Sequence, residues 1–200
     1  MGKWGRTKLT LVWKMGSDPI HRAKAGCAST GNSVCVSQRR KSTISENGLS
    51  LFNKFVSQSD TFNLKTGWNL TSLPFQSDSN FPLADFFPEA QTAYVFNDGK
   101  YVETNNITSG KGFWVKIPED KTYTFIGDPL NAYTETFAEG WHMVGSSFYS
   151  AQPITEPENC IKAIFVYKNG AYQQTTTLDP GFGYWIKIQE DCELKTSSPF

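Results

Sequence analysis

Tyr94-Val95-Phe96-Asn97-Asp98-Gly99-Lys100-Tyr101 and Phe165-Val166-Tyr167-Lys168-Asn169-Gly170-Ala171-Tyr172 are one pattern written twice, 71 residues apart. Each places Asp-Gly or Asn-Gly between alternating aromatic and β-branched residues. A two-residue primed turn needs positive φ, which Gly and Asn adopt at little cost, so the pattern reads as a tight β-hairpin. Residues 93–97 are expected to pair with 100–103, and 163–168 with 171–175. The same offset aligns Gly110-Lys111-Gly112-Phe113-Trp114-Val115-Lys116-Ile117 with Gly181-Phe182-Gly183-Tyr184-Trp185-Ile186-Lys187-Ile188. Between 94 and 120, 11 of 27 aligned residues are identical without a gap. Upstream, Gly67-Trp68-Asn69-Leu70-Thr71-Ser72 matches Gly140-Trp141-His142-Met143-Val144-Gly145 at an offset of 73. A period of this size marks a duplicated structural unit, with a loop of variable length where the offset slips.

Within each unit the elements can be read locally. Residues 112–117 and 183–188 alternate sides, with Phe113, Val115 and Ile117 opposite Trp114 and Lys116, and read as strands. The Trp68 and Trp141 segments read as opening strands, with both indoles expected in the core as buried equivalents. Pro82-Leu83-Ala84-Asp85-Phe86-Phe87 suits a short helical turn, because Pro is tolerated in a first turn and Pro88 stops it. Thr155 to Ile161 is its weaker counterpart. The expectation is therefore a mainly β fold, a sandwich or barrel. Two tandem homologous units span 61–130 and 131–200, each with four or five short antiparallel strands and a short helical turn.

Residues 1–60 differ in kind. They carry ten basic and three acidic side chains, a balance of +7, whereas 61–200 carry nine and sixteen, a balance of −7. From Ser17 to Gly48 there is no period of 2 or 3.6, and such a segment buries too little apolar surface to offset its ordering entropy. A basic, poorly structured arm is expected. Arg39-Arg40-Lys41 reads as solvated. The apolar stretch Leu9–Trp13 is shorter than the about 7–15 residues of a secretory signal, and Lys24 sits where a lipoprotein site before Cys27 wants an aliphatic residue. No apolar run approaches the about 20 residues that cross a bilayer. The zero net charge argues against nucleic acid as partner.

Gly-Trp-Asn-Leu opening a strand, then an aromatic hairpin, then Gly-x-Gly-[Phe/Tyr]-Trp-[Val/Ile]-Lys resembles small β-rich repeat modules near the C-termini of secreted and surface proteins of bacteria and archaea. The resemblance covers about 61–196 and rests on residues 67–70, 110–116 and 181–187. It implies an extracellular or cell-surface setting and carries no residue-level function. His142-Met143 departs from Asn69-Leu70, which weakens any role given to the first of those positions.

Catalytic, cofactor and metal sites are not expected. Gly110-Lys111-Gly112 and Gly181-Phe182-Gly183 begin like a dinucleotide fingerprint, but the third Gly is missing and a strand follows instead of a helix. The first unit contains no histidine at all, which excludes a duplicated His-based catalyst. Glu119-Asp120 and Glu190-Asp191 read as solvated turns, since no calcium-loop pattern surrounds them. Asn69-Leu70-Thr71 and Asn106-Ile107-Thr108 fit the glycosylation pattern at a frequency chance explains. Trp68, Trp114, Trp141 and Trp185, with Tyr101 and Tyr172, admit two readings, stacking platforms for sugar rings or repeated core; Trp114 and Trp185 are the better ligand candidates or contribute to the interface between the units.

Cysteine gives the last expectation. Cys160 and Cys192 both belong to the second unit, and the first lacks both: Lys121 stands opposite Cys192, and the variable loop around Glu89 faces Cys160. Having both or neither suggests a disulfide, which persists in an oxidising compartment; two separately buried thiols are the alternative. Cys27 and Cys35 could form a second pair. The function expected is a non-enzymatic extracellular module pair serving attachment, recognition or spacing, its partner a surface glycan or another extracellular protein. The alternative is a carbohydrate-binding module that targets a larger enzyme to polysaccharide.

Overall fold

The computed structural model describes residues 34–35, 57–77 and 80–196. In chain order the elements are β1 Val34–Cys35, β2 Gln58–Leu64, β3 Gly67–Ser72, β4 Phe81–Pro82, α1 Leu83–Phe86, β5 Thr92–Asn97, β6 Lys100–Glu103, β7 Asn106–Ile107 and β8 Gly112–Ile117. They continue with β9 Lys121–Gly127, β10 Tyr133–Phe137, β11 Gly140–Val144, β12 Ile154–Glu156, β13 Ile161–Lys168, β14 Ala171–Thr175, β15 Tyr184–Ile188 and β16 Cys192–Thr196. The fold is mainly β, as expected.

Two four-stranded antiparallel sheets have the same connectivity, β3-β8-β5-β6 and β11-β15-β13-β14. Beside them lie β1-β9-β2 and β10-β16-β12, with β4 pairing β7. Both hairpins form in the expected register, with Phe96 opposite Tyr101 and Tyr167 opposite Tyr172. Asp98 and Gly99 take φ of 49° and 75°, and Asn169 and Gly170 take 55° and 79°. Those positive values are what the turn chemistry requires.

β2, from Gln58, pairs along its whole length with β9. The free edge of β9 takes up the backbone of Val34–Cys35 in parallel, so two residues of the arm belong to a sheet. Residues 154–156 form β12 against β16 in place of a helical turn. The turn α1 forms because Leu83 and Phe86, spaced i and i+3, both bury into the core; Thr155 to Ile161 offers no such pair ahead of Cys160.

Alternation sorts the apolar residues into separate cores. Phe113, Val115 and Ile117 join Phe62, Phe87 and Phe125 on one side of the first sheet. Tyr184, Ile186 and Ile188 join Val166, Leu178 and Leu194 on the corresponding side of the second. The opposite faces meet each other, and there Leu70, Trp114, Met143 and Trp185 form a third cluster.

Contacts across this meeting run in both directions. The lead-in to β8 bridges to the end of β11 (Lys111 with Val144), and the lead-in to β15 bridges to β3 (Phe182 with Thr71). The Gly145 N–H donates to the Gly110 carbonyl at 2.9 Å, and its counterpart, the Ser72 N–H, donates to the Gly181 carbonyl at 3.4 Å. Such reciprocity, in which i meets j and j's equivalent meets i's equivalent, is the pattern of a local two-fold axis. Buried Ser72 and Ser146 sit between the sheets with hydroxyls 3.1 Å apart, and Ser72 also donates to the Phe182 carbonyl.

The close approach requires glycine. A Cβ on Gly112 would stand 2.5 Å from the Val144 carbonyl oxygen, and one on Gly183 would stand 2.7 Å from that of Thr71. Neither neighbour is a flexible side-chain end. Gly183→Ala is therefore expected to destabilise by about 1–3 kcal/mol, the usual range for overpacking. A denaturant titration checks it, and an unchanged midpoint would show that the sheets can separate at no cost.

Cys160 and Cys192 are joined by a disulfide. At the matching places of the first half, Lys121 Nζ and a Glu89 carboxylate oxygen form an ion pair, to which the Tyr123 hydroxyl adds a hydrogen bond at 3.1 Å. One polar clasp and one covalent clasp thus tie corresponding points. The Cys27–Cys35 pairing lies outside the described residues.

Candidate functional site

Where β8 and β15 leave their cores, the side chains on their other face are Trp114 with Lys116, and Trp185 with Lys187. Each indole crosses to the opposite sheet. Trp114 packs edge-on against Tyr167, with centroids 4.9 Å apart, and reaches Tyr172 at 6.5 Å. Trp185 packs edge-on against Phe96 at 4.7 Å and reaches Tyr101 at 6.2 Å. Both indoles are 9% exposed and pack between the two sheets. Tyr101 and Tyr172, on the outer strands β6 and β14, stay half-exposed at 54% and 51%. Burial raises the Tyr172 hydroxyl pKa, the neighbouring Tyr101 adds to it, and a hydrogen bond with Trp185 counteracts both.

Trp68 and Trp141 overturn their expectation. They are 41% and 45% exposed rather than buried. The cause lies in register: Trp68 stands opposite Lys116 and Trp141 opposite Lys187, which puts both indoles on the Trp114/Trp185 face at its solvent margin. Trp68 leans on Tyr94 and Trp114 at 5.8 and 6.4 Å, and Trp141 on Phe165 and Trp185 at 6.0 and 6.3 Å. Parity within the strand carried the hint, since Trp68 shares a face with Leu70, and Leu70 pairs with Trp114.

Two aromatic clefts result. One, of about 470 Å³, is lined by Trp68, Tyr94, Tyr101, Trp114 and Tyr167. The other, of about 440 Å³, is lined by Phe96, Tyr101, Trp141, Phe165, Tyr172 and Trp185. Tyr101 lines both, so the clefts adjoin. Lys116 and Lys187 stand on the same face and take no part in any ion pair among the described residues. The Lys187 ammonium lies 6.0 Å from the Trp141 ring. Surfaces of this kind hold flat apolar faces by stacking and take hydrogen bonds at the rim.

The aspartate of each acidic pair ties a turn. Asp120 accepts the Thr66 N–H and Asp191 accepts the Glu139 N–H, both at 2.8 Å, closing the turn before Gly67 and before Gly140. The departure at His142 is likewise conservative in effect. Asn69 donates to the carbonyl of Lys65, and the His142 ring meets that of Ala138, each four residues back. Among the described residues no group of three or more His, Cys, Asp or Glu could hold a metal ion. No helix among them is long and apolar enough to cross a membrane.

The hydrogen bond from Lys65, with that from the Thr66 N–H, lowers the Asp120 pKa to about 2. A carboxylate depressed in the folded state stabilises above its unfolded value near ~3.9, and that contribution disappears as pH falls through the folded value. Carboxyl NMR titration is expected to place Asp120 near 2, and Lys65→Ala to raise it. A midpoint near 4 in the wild type would contradict this tie.

Comparison with protein-family models, with curated proteins and with solved structures finds no match to the chain.

Proposed function

We propose that this chain is a non-enzymatic extracellular β-module pair, a duplicated unit of a secreted or cell-surface protein that serves attachment or recognition. The observation that carries the reading is the aromatic surface spanning both sheets. Four of the large apolar side chains left exposed, Trp68, Tyr101, Tyr172 and Trp141, line the two clefts. Exposed aromatics gathered in one place mark a binding surface far more often than scattered ones do. The Cys160–Cys192 disulfide supports an oxidising compartment. The resemblance of residues 67–70, 110–116 and 181–187 to secreted repeat modules agrees with that setting.

A second reading, a carbohydrate-binding module, is favoured by one specific feature. The exposed aromatics are chiefly Trp and Tyr, whose flat faces and polar tips suit sugar rings. The test is a panel of immobilised polysaccharides and extracellular matrix proteins probed with the full chain. Binding with the ligand's chain length unchanged is expected. Release of shortened products would overturn the non-enzymatic reading, and silence across the whole panel would overturn recognition.

A further inference from the structure

Resting on the carbohydrate reading above, we infer that the two clefts are equivalent half-sites for a neutral, β-1,4-linked hexopyranose chain, each stacking sugar rings on its exposed indole. The equivalence is visible in the linings. Trp68, Tyr94, Trp114 and Tyr167 of one cleft correspond, at offsets of 73 or 71, to Trp141, Phe165, Trp185 and Phe96 of the other. In both, the first three come from one sheet and the fourth from the opposite sheet. Neither cleft is complete without the packing of the two sheets, which explains why a duplicated unit serves better than a single one.

The ligand chemistry follows from the lining and the charge. Every residue lining the clefts is an uncharged aromatic. A hexopyranose with equatorial hydroxyls presents a flat face of C–H groups, the shape an indole covers, and β-1,4 linkage keeps successive rings in an extended ribbon. Hydroxyls at the ring edge need polar partners at the rim. Lys116 and Lys187 stand across the strand from the two exposed indoles. Glu103 faces Tyr94, and Gln174 faces Phe165. An anionic polymer is disfavoured, since residues 61–200 carry nine basic against sixteen acidic side chains.

A two-fold relation reverses chain direction between the half-sites. Stacking reads ring faces and not direction, so one long chain can still lie on both, through the shared Tyr101. Short chains should then occupy the clefts independently, and long chains should gain from linkage of the two.

Calorimetry on the full chain tests this with β-1,4-linked trimers of glucose and of N-acetylglucosamine. At least one trimer is expected to bind with a stoichiometry of two. Trp68→Ala and Trp141→Ala should each reduce it to one, and the double variant to none, with melting temperatures preserved; Trp68→Phe should restore the lost site in part. On a soluble β-1,4-glucan polymer the wild type should bind at least about tenfold tighter than either single variant. A stoichiometry of one in the wild type, or single variants that bind as it does, would overturn the paired half-sites while leaving carbohydrate binding intact. Preference for polygalacturonate would overturn the neutral ligand while leaving carbohydrate binding intact. Failure of every glycan, or preference for a polyproline peptide, would overturn the carbohydrate reading itself.

Discussion

Replacing Trp185 with alanine is expected to destabilise the protein by about 3–5 kcal/mol, the range for a large aromatic removed from a well-packed site. The indole is nearly covered and touches Phe96, Tyr101 and Trp141, two of which belong to the opposite sheet. Its loss removes apolar burial and several edge-to-face ring pairs, each worth about 0.5–1.5 kcal/mol beyond area. Trp141→Ala is expected to cost under about 1 kcal/mol, because an exposed ring gives up little burial. Urea unfolding of the two variants separates the roles. Equal losses at both sites would mean that Trp141, too, is part of the packing.

Reducing the Cys160–Cys192 disulfide is the other large expected effect. The bond closes a separation of 32 residues. On the chain-entropy model a loop of that size restricts the unfolded chain by roughly 3–4 kcal/mol. For a chain of this size that is a fall of about 6–16 °C in melting temperature. Cys160 and Cys192 are both buried, and Cys192 opens β16, the strand that joins β10 to β12. Calorimetry with and without reductant, or of the Cys160→Ala/Cys192→Ala variant, measures the effect. A melting temperature that ignores reduction would show the cystine to be dispensable and would remove the main physical support for an oxidising compartment.

Much of this fold is legible in the sequence itself. The hairpins at Asn97-Asp98-Gly99 and Lys168-Asn169-Gly170 were readable because their turn chemistry is local, needing only residues that tolerate positive φ. Phe113, Val115 and Ile117 declared their shared face by alternation alone. Comparing the two halves of the chain suggested the disulfide, with two separately buried thiols as the alternative. The exposure of Trp68 did not, since it depends on which strand β3 pairs with and in what register. A Gly-Trp start inside an apolar strand looks the same whether the ring faces a core or a cleft; only its placement opposite Lys116 decides it. Nor could the sequence show that Trp114 and Trp185 each reach into the opposite sheet. That contact joins residues more than fifty positions apart, and no local preference encodes it. The short pairing of Val34–Cys35 with β9 belongs to the same class, a long-range contact made by backbone rather than by pattern.

The most direct test follows the indole N–H resonances by NMR as a soluble β-1,4-linked oligosaccharide is added. The chain has six tryptophans, four of them on the aromatic face and two, Trp4 and Trp13, in the arm. The account predicts that Trp68 and Trp141 shift together along saturating curves while Trp4 and Trp13 stay in place. Resonances of Trp68 and Trp141 that do not move when ligand is bound, or shifts confined to the arm, would contradict it.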